Sequence, residues 1–140
     1  MCIFVGALIF IMKKKGIKGQ RVARTRNNAT QTESMFWGMI RAALRDKSRW
    51  WKPIAQCRIN ARRKYTGTGK RQRYEYQCNI CKKWFPDKKT SVDHIIPVGT
   101  LTCTKDLPGF VDRLFVEVEG LQLLCDNCHS IKTQTERKNR

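Results

Sequence analysis

A chain of 140 residues has room for one modest globular core with an extension. Its 29 Lys and Arg stand against 11 Asp and Glu, a formal charge of +18 whose self-repulsion points to a polyanionic partner, nucleic acid first and an anionic membrane surface second. No apolar run reaches the roughly 20 residues that a membrane-spanning helix needs, and seven cysteines, an odd number in clusters, argue for a reducing cytoplasmic compartment rather than a secreted disulfide scaffold.

Residues 2–12 form an apolar run followed, not preceded, by Lys13, Lys14 and Lys15, which is the wrong order for a signal peptide. It reads as a packing strand or helix turn, a translation extension with Met12 as the true start, or a weak anchor. From Lys13 to Thr32 the chain is basic and poor in large apolar residues, so residues 1–32 are expected to be a disordered extension.

Residues 33–73 read as a basic helical region that contacts DNA. Met35, Phe36, Met39, Ile40, Ala43 and Leu44 recur at helical spacing up to Ser48, with Arg41, Arg45 and Lys47 on the opposite side. Trp50 and Trp51 read as core or helix-junction residues in preference to base-stacking platforms, and Pro53 suits the first turn of a second helix running to about Arg63. Ile54, Cys57 and Ile59 would face inward on that helix, Cys57 as a buried thiol. A flexible basic loop from Tyr65 to Arg73 follows. Residues 13–73 carry 19 Lys or Arg against Glu33 and Asp46 alone, whereas residues 74–140 carry 10 against 9 acids. Arg58, Arg62, Arg63, Lys70, Arg71 and Arg73 are therefore the candidate phosphate contacts, which position a protein without reading sequence.

Residues 74–138 hold the motifs. Tyr74–Gln77 alternates as a strand and runs into Cys78-x-x-Cys81, with Trp84 and Phe85 as core behind that turn. A strand from about Thr90 to His94, a short helix over 106–115 and a strand-like segment over 116–124 precede Cys125-x-x-Cys128. A final helix then runs to about Lys138 and brings Cys128, His129 and Lys132 to one side. Two Cys-x-x-Cys pairs, 43 residues apart, supply the four thiolates of a tetrahedral structural Zn2+ site. A disulfide or redox dithiol is the competing reading.

His94 and His129 are the only histidines. Asp93 and His129 can hold a divalent cation such as Mg2+ with positions left open for water and phosphate oxygen. His94 can then take a proton from the attacking water, and Lys132 can contact a neighbouring phosphate.

Cys78-x-x-Cys81, Asp93-His94-Ile95-Ile96-Pro97, and Cys125-x-x-Cys128-His129 with Lys132-Thr133 behind it occur together and in order. Over about residues 74–137 the chain resembles the HNH endonucleases of the ββα-metal (His-Me finger) fold, in particular the four-cysteine zinc-stabilised subgroup found as small free-standing genes in tailed phages. The resemblance implies an α+β fold, Asp93 and His129 as ligands of the catalytic cation, His94 as general base, and a structural zinc on Cys78, Cys81, Cys125 and Cys128. It implies hydrolysis of DNA phosphodiester bonds, by nicking or double-strand cleavage, in the host cytoplasm if phage-encoded. No organic cofactor is called for, and the oligomeric state is left open. The alternative is a non-catalytic zinc-stabilised DNA-binding or structural module, and charge alone does not exclude RNA as the partner. One element departs from the family. Gly120 stands where an Asn commonly precedes Leu-Gln, so Glu117, Glu119 or a backbone carbonyl would have to orient His94.

Overall fold

The computed structural model describes residues 21–139. The apolar run, Met12 as a start and the first lysines lie outside them. The fold is α+β, with four α-helices and two small antiparallel sheets among the described residues. Among the described residues no helix is long and apolar enough to cross a membrane.

Where disorder is expected up to Thr32, the chain from Thr25 onward holds a hydrogen-bonded turn closed by an Arg26–Gln31 bridge. Asn27 and Asn28 take the left-handed backbone that asparagine tolerates. Arg26 reaches Glu33 at 2.6 Å and lies over the Phe36 ring. Glu33 also accepts from Trp37 Nε1 at 3.1 Å, so the turn is tied to the first turn of helix α1, Glu33–Ser48. Thr32 caps that helix by accepting from the Met35 N–H.

Helix α1 buries Trp37, flanked by Phe36, Ile40 and Leu44, against Val98, Leu101, Phe110 and Leu114. Met35 and Met39, expected inside, are about half exposed, at 52% and 49%. The core stripe is thus turned by about one position, because the indole of Trp37 offers more apolar area than either thioether and its N–H finds a partner in Glu33. Arg41, expected on the outer side, instead donates to the Leu101 carbonyl at 3.4 Å.

The two adjacent tryptophans then divide. Both stand at the junction of α1 and the next helix, as expected, but Trp51 donates to the Val116 carbonyl at 2.8 Å and meets Phe115 edge-on, whereas Trp50 is 84% exposed. Helix α2, Lys52–Asn60, has Pro53 in its first turn and buries Cys57, while Ile59 faces solvent. It stops short of the expected Arg63. The Ala61 carbonyl accepts from Gln77 N–H at 2.8 Å, and the chain leaves as strand β1, Arg62–Lys64. Pairing across the sheet replaces the helical bonds that the basic residues would otherwise have continued.

Strand β1 pairs with β2, Tyr74–Gln77, and β2 with β3, Trp84–Phe85. The second sheet joins β4, Thr90–His94, to β5, Leu121–Cys125, in antiparallel register with Asp93 opposite Gln122 and His94 opposite Leu121. Between them helix α3, Leu107–Leu114, contributes Phe110 and Leu114, both essentially inaccessible to solvent. Each such side chain stabilises the fold by about 1.5–3 kcal/mol. Helix α4, Asp126–Lys138, follows β5 directly.

The expected strand over 116–124 is shorter in fact, because Val118–Gly120 forms a single tight helical turn. The Gly120 carbonyl accepts from Ile95 N–H at 3.0 Å, so the backbone at this position closes the end of the β4–β5 pair. A Cβ on Gly120 would sit 2.9 Å from Val116 Cβ and Cγ2. Gly120→Ala, and Gly120→Asn with the same Cβ, should each lower the unfolding free energy by about 1–3 kcal/mol, read from urea denaturation curves; a neutral result would mean that Val116 moves freely.

Candidate functional site

The sulfur atoms of Cys78, Cys81, Cys125 and Cys128 all lie within 4.8 Å of one another. Tetrahedral coordination at a Zn–S length of about 2.3 Å implies sulfurs about 3.8 Å apart, and Cys81 and Cys125 are 3.9 Å apart. The cluster is compatible with structural zinc, and local structure builds it. After Cys78 the chain turns through a Lys82 N–H to Cys78 carbonyl bond at 2.9 Å, and Asn79 N–H reaches across to the Leu123 carbonyl at 2.8 Å. Cys125 ends β5 and Cys128 lies in the first turn of α4. Leu124, fully buried, and Phe85 pack around the sulfurs.

The thiols are electrostatically opposed. Burial alone would raise Cys78, but backbone N–H groups of Cys125, Cys81 and Ile80 outweigh it and lower its pKa to about 6. Burial, then hydrogen bonds within the sulfur cluster and the charge on Cys78, push Cys128 up to about 12. The first thiolate forms readily and the last is opposed by the others, a conflict that a bound cation removes by deprotonating the whole set.

On the same β4–β5–α4 unit, Asp93 Oδ1 lies 3.9 Å from His129 Nε2. Two ligand atoms about 2.0–2.2 Å from one ion fall within this separation. The Lys132 ammonium sits 2.8 Å from Asp93 Oδ2 and forms an ion pair with it, while Oδ1 is the oxygen nearer His129. Asp93 Oδ1 and His129 Nε2 are then the two atoms available to one added ion. The pair therefore fits a divalent ion.

Lys132, expected to contact a phosphate, is held inside the cluster. Its ammonium also donates to the His94 carbonyl at 2.9 Å and contacts Glu136. Burial alone would lower its pKa, and the Asp93 and Glu136 carboxylates outweigh that and raise it. His94, half-buried, places Nε2 3.0 Å from the Leu114 carbonyl. A carbonyl only accepts, so Nε2 carries the hydrogen and the neutral ring keeps its lone pair on Nδ1. Of the groups expected to orient the ring, Glu117, Glu119 or a backbone carbonyl, it is a backbone carbonyl that holds it. Sequence reasoning does not find Leu114 or Glu136: the first acts through its main chain, and the second is marked only by its i,i+4 spacing from Lys132.

The candidate DNA contacts lie elsewhere, on α2, β1 and the following loop. Arg58 contacts Asp87 and lies over Tyr76; Arg63 pairs with Glu75 at 2.6 Å and stacks 3.9 Å from the centre of Trp84. Arg62 lies over Tyr74, while Lys70, Arg71 and Arg73 are exposed on the β1–β2 loop. Comparison with family models, with curated proteins and with solved structures finds no match.

Cys125→Ser should lose the stoichiometric zinc measured by elemental analysis and should melt at a lower temperature; retained zinc and unchanged melting would reject the four-cysteine ligand set. Lys82 holds a left-handed backbone with φ of 59°. Lys82→Gly should therefore raise the unfolding free energy by about 1 kcal/mol, since strain at a side-chain-bearing residue exceeds the entropy cost of glycine. Denaturation of the two proteins side by side checks the sign.

Proposed function

We propose that the chain is a metal-dependent DNA endonuclease of the HNH type, with a ββα-metal core, that hydrolyses phosphodiester bonds. The observation that carries this reading is the 3.9 Å approach of Asp93 Oδ1 to His129 Nε2, a separation that one divalent ion can bridge. The β4–β5–α4 order and the Nε2-anchored ring of His94 support it.

Each side chain then has a defined task. Asp93 and His129 would hold the cation, which when bound would supply positive charge to the phosphate and the leaving 3′ oxygen. His94 accepts a proton from the attacking water at Nδ1, while the Leu114 carbonyl stops the ring from turning. Lys132 orients Asp93 by attracting Oδ2, which leaves Oδ1 toward His129. The basic residues of α2 and β1 add phosphate contacts whose strength falls steeply with salt.

A second reading, a non-catalytic zinc-stabilised DNA-binding module, draws on Lys132, whose ammonium already compensates the Asp93 carboxylate.

Supercoiled plasmid DNA incubated with the protein and Mg2+ or Mn2+ decides between them. Relaxed or linear product is expected, slowed at least about 100-fold in His94→Ala, the usual scale for losing a general base. Asp93→Asn should be comparably impaired with its zinc retained. Equal cleavage by the intact and His94→Ala proteins would remove the assigned base. Salt-sensitive binding without cleavage under any metal would favour the module.

A further inference from the structure

We propose that Trp50 is a stacking platform for an unpaired nucleobase of DNA. At 84% exposure it is the most exposed large apolar side chain among the described residues, although its neighbour Trp51 is anchored by the Val116 carbonyl and the Phe115 ring. The contrast is not looseness of the junction. Trp50 N–H bonds to the Lys47 carbonyl and Trp51 N–H to the Ser48 carbonyl, both at 3.1 Å, so the backbone that presents Trp50 is held on both sides. An indole left in water forgoes the stabilisation that burial would bring, and the fixed support keeps its ring open to a partner outside the chain.

The surroundings select the occupant. Lys47, Arg49 and Lys52, all exposed, stand within three residues of Trp50 in the chain, and Asp46 pairs with Arg49 at 3.4 Å. An exposed aromatic face with cations adjacent in the chain matches a base with its attached phosphates, the combination used by sequence-tolerant single-strand binders. A lipid surface is a poorer match, since a membrane-inserting patch needs several apolar side chains together and the neighbours of Trp50 here are charged. In a paired duplex each base is covered on both faces by its neighbours. The complementary ligand is therefore an unpaired base, in a single strand, a gap or a bulge. The inference shares with the proposed function only the premise that DNA is the partner, and it gives no role to Asp93, His94 or His129.

Fluorescence anisotropy with an end-labelled single-stranded oligonucleotide and its fully paired duplex, without added divalent cation, tests this in the full chain. Trp50→Ala should weaken single-strand binding on the order of tenfold and duplex binding by less than about twofold, and Trp50→Phe should recover most of the loss. Unchanged melting of both variants establishes that the fold is intact. Equal single-strand binding by Trp50→Ala would overturn the inference, as would an equal loss on both DNAs. Loss of binding to phosphatidylserine vesicles with DNA binding unchanged would assign Trp50 to a membrane instead. Absence of plasmid cleavage by the intact protein removes the endonuclease reading and leaves this result standing.

Discussion

Four sulfur atoms drawn within 4.8 Å set the position of nearly everything that follows them. One pair sits in the turn between β2 and β3, and the other spans the end of β5 and the first turn of α4. Bringing them together fixes the rotational phase of α4, because Cys128 must face the cluster. His129 is the next residue and Lys132 lies one turn on, so their approach to Asp93 follows from that phase. The apolar packing around the sulfurs is small, chiefly Leu124 and Phe85, and the larger core around Phe110 and Trp37 lies apart from it. A cation on the thiolates would contribute folding energy where apolar burial is least.

The division of charge has a counterpart in how the cations are held. Several arginines of the basic half are laid over aromatic rings, Arg62 on Tyr74 and Arg63 on Trp84, and Arg58 and Arg63 are also engaged by carboxylates. Stacking keeps a guanidinium planar and oriented with part of its donor fork still directed outward. These arginines therefore carry intramolecular work as well as charge. Lys70, Arg71 and Arg73, exposed on the β1–β2 loop, have the greater freedom to follow a phosphate backbone.

Some of this was legible in the residues and some was not. The 3.6-residue period located α1, and the alternation of Tyr74–Gln77 located β2. It could not set the phase of α1, because Phe36, Trp37, Ile40 and the methionines permit two overlapping stripes and only the opposing Phe110 and Leu114 choose. The end of α2 was misplaced for a related reason. Arg62 and Arg63 suit a helix as well as a strand, and what ends the helix is a bond from Gln77, far along the chain. Trp50 and Trp51 are chemically identical, so their opposite fates depend on where Val116 and Phe115 lie.

What the sequence by itself determined is whatever short covalent spacing controls: two cysteine pairs at ligand spacing, the Asp93-His94 dipeptide, His129 following Cys128, and a charge gathered ahead of residue 74. The tertiary structure alone decided the protonation pattern and partners of the cluster. The Leu114 carbonyl that dictates the His94 tautomer is 20 residues away, and Lys132, which binds the His94 carbonyl, is 38 away. Contacts of that kind depend on the packing of several elements at once, and a backbone carbonyl leaves no mark of residue type. The same holds for Gly120, whose missing Cβ makes room for Val116 while its own carbonyl pairs with Ile95.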